Sequence, residues 1–180
     1  CITLHRLEQN GLPDQSFGQN GVRVVSEFTN ISGISSAVQK DGKILIAGHS
    51  IQPTTGPSGT DAILMRLNSD GSPDVTFGNE SMVIIDLISV TETSHDRYAA
   101  VAVRPDGKYF LAGLSDKFSS PGRTRRYVTA TQFNSDGSID NTFGTNGISL
   151  MQVGDGETSA YFSTSLRLRT LRDGRLAVSV

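Results

Sequence analysis

The chain reads as a succession of short strands. Polar and apolar residues alternate from Thr3 to Leu7, the period-two signature of a strand with one buried face, and Ala62–Leu67 and Val128–Phe133 are its counterparts further on. A second set falls at Val22–Val25, Met82–Leu87 and Ile148–Val153, and a third at Ser36–Gln39, Ala99–Val103 and Leu166–Thr170. A fourth falls at Ile44–Ala47, Tyr109–Ala112 and Leu176–Val180. No helical periodicity interrupts them. Gly48 and Gly113 are expected to close the fourth strands, leaving His49–Thr60 and Leu114–Arg126 as polar loops, with another variable stretch at 88–97.

The punctuation is as regular as the strands. Asn10-Gly11-Leu12-Pro13-Asp14-Gln15-Ser16-Phe17-Gly18 returns as Asp70-Gly71-Ser72-Pro73-Asp74-Val75-Thr76-Phe77-Gly78 and as Asp136-Gly137-Ser138-Ile139-Asp140-Asn141-Thr142-Phe143-Gly144, the phenylalanines lying 60 and 66 residues apart. A second mark, Asp41-Gly42-Lys43, Asp106-Gly107-Lys108 and Asp173-Gly174-Arg175, keeps steps of 65 and 67. Two independent marks sharing one period indicate repeated structural units. Asp-Gly between strand-like runs predicts a two-residue turn that pairs the third and fourth strands antiparallel. Asn20-Gly21 and Asn146-Gly147 read as hairpin dipeptides that tolerate positive φ, and Glu80-Ser81 in the middle copy predicts a changed turn there.

Four antiparallel strands per unit predict an all-β fold made of β-propeller blades, with a sandwich or a β-solenoid as the alternative architectures. One small sheet cannot cover both of its faces, so each unit must stack on a neighbour. Residues 1–180 are thus expected to be a single repeat domain of about three units, and propellers use about four to eight blades, so the chain is expected to be part of a larger ring. Both ends fall inside strand patterns, which fits a fragment. Cys1 at the first position also allows a lipid-bearing terminus, an alternative that the immediate strand pattern from Ile2 disfavours.

The runs Arg66–Gly78 and Val103–Gly113 carry a family resemblance. Arg-Leu-Asn-x-Asp-Gly-Ser-x-Asp-x-Thr-Phe-Gly, followed by Val-x-Pro-Asp-Gly-Lys-x-x-x-Ala-Gly, resembles the bacterial delta-60 repeat over nearly the whole chain; the third Asp-Gly unit, with Leu171-Arg172 before it and Ser179 after it, departs most. The resemblance implies tandem blades in large proteins that are mostly secreted or on the bacterial surface, and it brings no general catalytic assignment.

Composition narrows the partners. A net charge of −2, from 16 basic and 18 acidic residues, exerts no global pull on nucleic acid or an anionic membrane, and no run of apolar residues is long enough for a membrane span. With one cysteine there is no internal disulfide, and no Cys/His cluster has metal-ligand spacing. Nineteen glycines and no tryptophan suit tight turns between strands.

Candidate chemistry sits against this repetitive background. Asn68-x-Asp70-Gly71-x-x-Asp74 and its copy at 134–140 resemble the middle of a calcium loop, but Arg66, Gln132 and Arg6 stand where the leading ligand belongs, and the first copy has Glu8 and Asn10. Asx-turns with the arginine paired to the later aspartate are the preferred reading, and no cofactor or metal is expected. Asp14, Phe17, Gly18, Asp74, Phe77, Gly78, Asp140, Phe143 and Gly144, with Gly42, Gly107 and Gly174, are expected to be structural, the phenylalanines packing between neighbouring sheets. His5, His49 and His95 fall at different phases of the repeat. Arg123, Arg125 and Arg126 form the one basic cluster, able to grip phosphate, sulfate or uronate unless Asp116 neutralises it.

The polar positions that differ between units are Glu92, His95, Asp96, Arg123, Arg125, Asp155 and Glu157. Ser94-His95-Asp96 holds triad residue types, but adjacent side chains do not generally face one another. The expected function is a non-catalytic scaffold or binding module of a secreted or cell-surface bacterial protein, with binding candidates at Arg123, Arg125, Arg126, Glu92, His95 and Asp96. Its expected partners are protein or polysaccharide, and further blades or a second copy of the chain. The alternatives are a propeller-type hydrolase or lyase acting on a glycan, and a calcium-stiffened structural repeat.

Overall fold

The β-branched and aromatic runs separated by Asp-Gly and Asn-Gly turns form strands throughout, and no helix occurs among the described residues of a computed structural model. The structure describes residues 2–26, 30–50, 59–88, 94–119, 123–153, 166–171 and 175–179, without the side chains of residues 34, 118, 119, 123 and 124. Cys1, Glu92, Asp155, Glu157 and Gly174 lie outside the described residues.

Sheet I pairs β1 (Ile2–His5) with β2 (Val22–Val25). Sheet II runs in the order β3 (Ile31–Val38), β4 (Ile44–Ser50), β6 (Ala62–Leu67), β7 (Met82–Ile85). Sheet III orders β8 (Ser94–Val103), β9 (Tyr109–Ser119), β10 (Arg123–Phe133) and β11 (Ile148–Val153), and the short β5 (Gly59–Thr60) lies parallel to β8 at its edge. Sheet IV pairs β12 (Arg167–Thr170) with β13 (Leu176–Ser179). All the other pairings are antiparallel.

Three apolar clusters glue the sheets in chain order. Phe17, Ile44, Ile46, Ile63 and Met65 pack with Ile2 and Leu4 between sheets I and II. Leu45, Leu64, Phe77, Tyr98, Tyr109, Leu111 and Phe133 fill the space between sheets II and III. Ala112, Leu114 and Val128 meet Leu166, Leu168 and Val178 between sheets III and IV.

Three sequence expectations are corrected here. Gly48 and Gly113 do not end their strands: β4 runs on to Ser50, and β9 and β10 form one long hairpin through what reads as the loop 114–126. A side chain on either glycine would strike backbone of the facing strand, at Ser32 and Arg97, beside the register shifts at Gly33/Ser35 and Tyr98/Ala100. These glycines make room for β-bulges.

The Asp-Gly turns hold three residues, not two. Gln39 N–H donates to the Lys43 carbonyl (2.8 Å) and Gly42 N–H to that of Gln39 (2.9 Å), with Gly42 at φ +85° and the Asp41 carboxylate accepting from Lys43 N–H. Arg104–Lys108 and Asn68–Ser72 repeat the arrangement. The third correction concerns Glu80-Ser81, where φ is 49° and 73°, both as positive as at Asn20-Gly21. The surrounding bonds, Asn79 N–H to the Met82 carbonyl (2.8 Å) and the reverse (3.0 Å), hold the turn against its own residues' preference.

Candidate functional site

Sheets II and III share two ends of contrasting chemistry. At one end lie the turns that carry the repeat marks. Arg66, near the end of β6, places Nε 2.6 Å from Asp74 Oδ2, lies over the Phe77 ring at 4.3 Å, and donates from Nη1 to the Ser135 carbonyl of the next unit at 2.6 Å. Lys43 reaches the same Asp74 oxygen at 2.8 Å. Phe77 is capped by Gly137 of the next unit, where an added Cβ would come within 2.5 Å of the ring.

The preceding junction copies this. Arg6 binds Asp14 at 2.7 Å, lies over Phe17 at 4.6 Å and donates to the Ser69 carbonyl, while Gly71 caps Phe17. One arginine, one carboxylate, one ring and the next unit's turn thus form a repeated joint. In the third copy Gln132 replaces the arginine and donates to Asp140 Oδ2 (2.7 Å), which Lys108 also reaches at 2.6 Å, and Phe143 is half-buried against Phe110 with ring centres 5.2 Å apart.

Burial alone would push the Asp74 carboxyl up, but hydrogen bonds from Lys43, Thr76 and Arg66 hold it well below the usual carboxylate range. Lys108 and then Thr142 do the same for Asp140. Asp70 and Asp136 each accept from the serine two residues on, Ser72 and Ser138, through both its N–H and its hydroxyl. Asp70 and Asp136 thus each form an Asx-turn through Oδ1, while Asp74 and Asp140 are held in ion pairs.

The opposite end is where connections 51–58, 89–93 and 120–122, themselves outside the described residues, join the strands. Residues read from the sequence as loop stand here on strands, which is the correction for His95, Asp96 and the arginines. Strand register sets His95 opposite Asp116 and Asp116 opposite Arg126, and sets Asp96 opposite Ser115 and Ser115 opposite Tyr127. Successive strand residues point to opposite faces, so these are two separate rows.

In the first row Arg126 grips Asp116 with two bonds, Nε to Oδ1 at 2.5 Å and Nη2 to Oδ2 at 2.9 Å, and Arg97 lies 3.8 Å from the same carboxylate. Arg125 points to the face opposite Arg126, and β10 register sets Arg125 opposite Lys117 and Arg123 opposite Ser119, so strand alternation divides the run between two faces. Asp116 and then burial act on Arg126 in opposite senses, and the partner wins, raising its already high pKa.

The second row faces sheet II, with Asp96 and Ser115 buried and Tyr127 half-buried. Asp96 is fully buried; its Oδ2 accepts from Leu87 N–H (3.0 Å) and from the Ser94 hydroxyl (3.2 Å), while Oδ1 has no well-aligned donor. Burial pushes its carboxyl up to about 6, opposed by nearby Ser115 and by the Leu87 N–H. Thr129 Oγ1 and His49 Nδ1 at this end are also buried without a partner among the described residues, and burial followed by Arg97 lowers the His49 pKa. Sequence reading passed over Ser115, Thr129 and Arg97; an early start of β8, signalled by the alternation Ser94-x-Asp96-x-Tyr98, would have pointed to them.

Among protein families, residues 39–77 match one described as a domain of unknown function (DUF5122) beta-propeller. The matched stretch is of the β-propeller type. It runs from the Lys43 turn through β4 and β6 to Phe77, and so contains the Lys43–Asp74–Arg66 end of the joint. Among curated proteins nothing matches the chain. No helix among the described residues is long and apolar enough to cross a membrane.

Proposed function

We propose that the protein is a non-catalytic scaffold or binding module, built from β-propeller blades of four antiparallel strands that belong to a larger ring. The orders β3-β4-β6-β7 and β8-β9-β10-β11 support the four-stranded blade, and β3, β8 and β12 contact one another in sequence as inner strands would. The observation that carries the non-catalytic reading is the use to which charge is put. Repeated charges join units, and the non-repeated Arg97, Asp116 and Arg126 pair with one another. Asp96, the one carboxyl displaced upward among the described residues, is fully buried and out of a substrate's reach.

Recognition then falls to the connections 51–58, 89–93 and 120–122, whose flanking strand ends share one end of sheets II and III. The resemblance to delta-60 repeats supports placing such a module on a secreted or surface protein of bacteria, with polysaccharide or protein as its partner. Affinity electrophoresis against a panel of polysaccharides, run beside turnover assays on the same panel, tests the reading. Retention without turnover, lost when 51–58 and 120–122 become Gly-Ser segments of equal length, is the expected result. Turnover abolished by His95→Ala or Asp96→Asn would overturn it.

A further inference from the structure

The β9–β10 hairpin runs further than the strands it matches in sheet II. Aligned on Gly48 and Gly113, β4 ends at Ser50, the position of Ser115, whereas β9 continues through Asp116 to Ser119 and β10 returns from Arg123. Four further residues extend β9 by about 13 Å at the end where the connections lie. They also concentrate charge. Residues 114–127 hold four basic residues and one acidic residue, a local charge of +3 on a chain whose total is −2.

The two faces of the hairpin treat that charge differently. On the face away from sheet II, Arg126 grips Asp116 with two bonds and Arg97 lies beside the same carboxylate. On the face toward sheet II, register sets Arg125 directly opposite Lys117, two cations on adjoining strands. Like charges placed so cost stability, and an anion between them removes the cost. Arg125 is exposed, with no ion-pair or hydrogen-bond partner among the described residues. Asp96, a carboxyl on the same face, is buried in the joint and accepts from Leu87 N–H and the Ser94 hydroxyl.

Beside the cations stands a ring. Tyr127 follows Arg125 by two residues on β10 and shares its face, half-buried, with Gln152 opposite it on β11. A guanidinium binds a carboxylate or sulfate through paired hydrogen bonds, and tyrosine offers an apolar ring with a polar tip. Cation, ring and amide on one strip match a sugar that carries an acid group: the ring takes its C–H face and the guanidinium its anionic substituent. Nucleic acid fits less well, because its affinity comes from many phosphate contacts and the residues outside 114–127 carry −5, the total of −2 less this +3. We propose that the partner recognised at this end is an acidic polysaccharide, held by Arg125, Lys117 and Tyr127 on the sheet II face of the β9–β10 hairpin.

The proposal rests on the binding-module reading above and names its ligand class. The probes are polygalacturonate and dextran sulfate, each against a neutral counterpart, fully methyl-esterified polygalacturonate and dextran, in affinity electrophoresis and titration calorimetry of the full 180-residue chain. Binding of an acidic probe and not of its neutral form is expected, and which acidic probe binds tells carboxylate from sulfate. Arg125→Glu, at an exposed site, should weaken that binding by at least about tenfold without moving the melting temperature, and Tyr127→Leu should weaken it by about threefold or more. Arg169→Glu, the same charge change at an exposed site on β12, should leave binding as in the parent. Equal binding of acidic and neutral forms, or binding that survives Arg125→Glu or falls as far with Arg169→Glu, overturns the proposal and leaves the module reading standing. Failure to bind any polysaccharide removes both. Tighter binding of single-stranded DNA than of either acidic probe at the same salt also overturns the proposal.

Discussion

The two ends of the sheet II–III junction differ in what the repeat copies. At the mark end every buried charge has a partner of opposite sign, and the pattern of Arg66, Asp74 and Phe77 is nearly a copy of Arg6, Asp14 and Phe17. At the loop end the charged groups, Asp96, Arg97, Asp116 and Arg126, have no copy at the matching positions of sheet II, while buried polar atoms without a well-aligned partner among the described residues occur at both ends, Thr129 Oγ1 and His49 Nδ1 here and Gln39 Oε1, Ser81 Oγ and the Tyr109 hydroxyl at the mark end. The difference separates the part of the molecule that joins units from the part that distinguishes this chain from any other array of the same repeat.

Substitutions should divide along the same line. Phe77→Ala at the mark end removes a fully buried ring from the joint, and a loss of about 3–5 kcal/mol is expected in denaturant unfolding. Gly137→Ala forces a residue at φ +96° against the Phe77 ring and should cost about 2 kcal/mol in the same measurement. Equal stability of Gly137→Ala and the parent would break the claim that this glycine is part of the joint.

Asp96→Asn at the loop end should act in the other direction. With its pKa raised to about 6, Asp96 binds its proton more tightly in the folded chain than in the unfolded one, where the value is near 4. Its contribution is therefore full below pH about 4 and is lost as pH rises towards about 6, so the asparagine variant should be more stable by about 2 kcal/mol at pH 7 and equal at pH 4. Asp74 and Asp140, with lowered pKa values, contribute above their unfolded values and lose that contribution as pH falls below about 4. Melting curves across pH 3–7 read both windows, and a flat difference between the variant and its parent would contradict the assignment.

Smaller effects sharpen the contrast further. Ser81→Gly relieves a positive φ of 73° and removes a buried hydroxyl without a partner, and should raise stability by about 1 kcal/mol. Millimolar calcium should leave the melting temperature unchanged, because Asp74 and Asp140 are already paired with cations and Arg66 and Lys108 stand beside them.

The mark end was legible in the sequence because it is local and written more than once. Asp-Gly and Phe-Gly at a common period are visible without any knowledge of packing. The loop end was not, for two physical reasons. Gly48 and Gly113 look like strand breakers, and only the collision with Ser32 and Arg97 shows that they accommodate bulges inside longer strands. His95, Asp116 and Arg126 are brought together by register across three strands, which no local pattern records. The left-handed turn at Glu80-Ser81 was hidden likewise, since tertiary bonds impose it on residues that do not favour it.

The central claim is that the repeat mark is a joint, so that sheets II and III stand or fall together. Amide hydrogen exchange of Phe77→Leu tests it most directly, since the milder truncation leaves the chain folded. Protection should fall together, by the same free energy, in β6 on one side of the joint and β10 on the other. Loss confined to β6, with β10 protected as in the parent, would contradict the account.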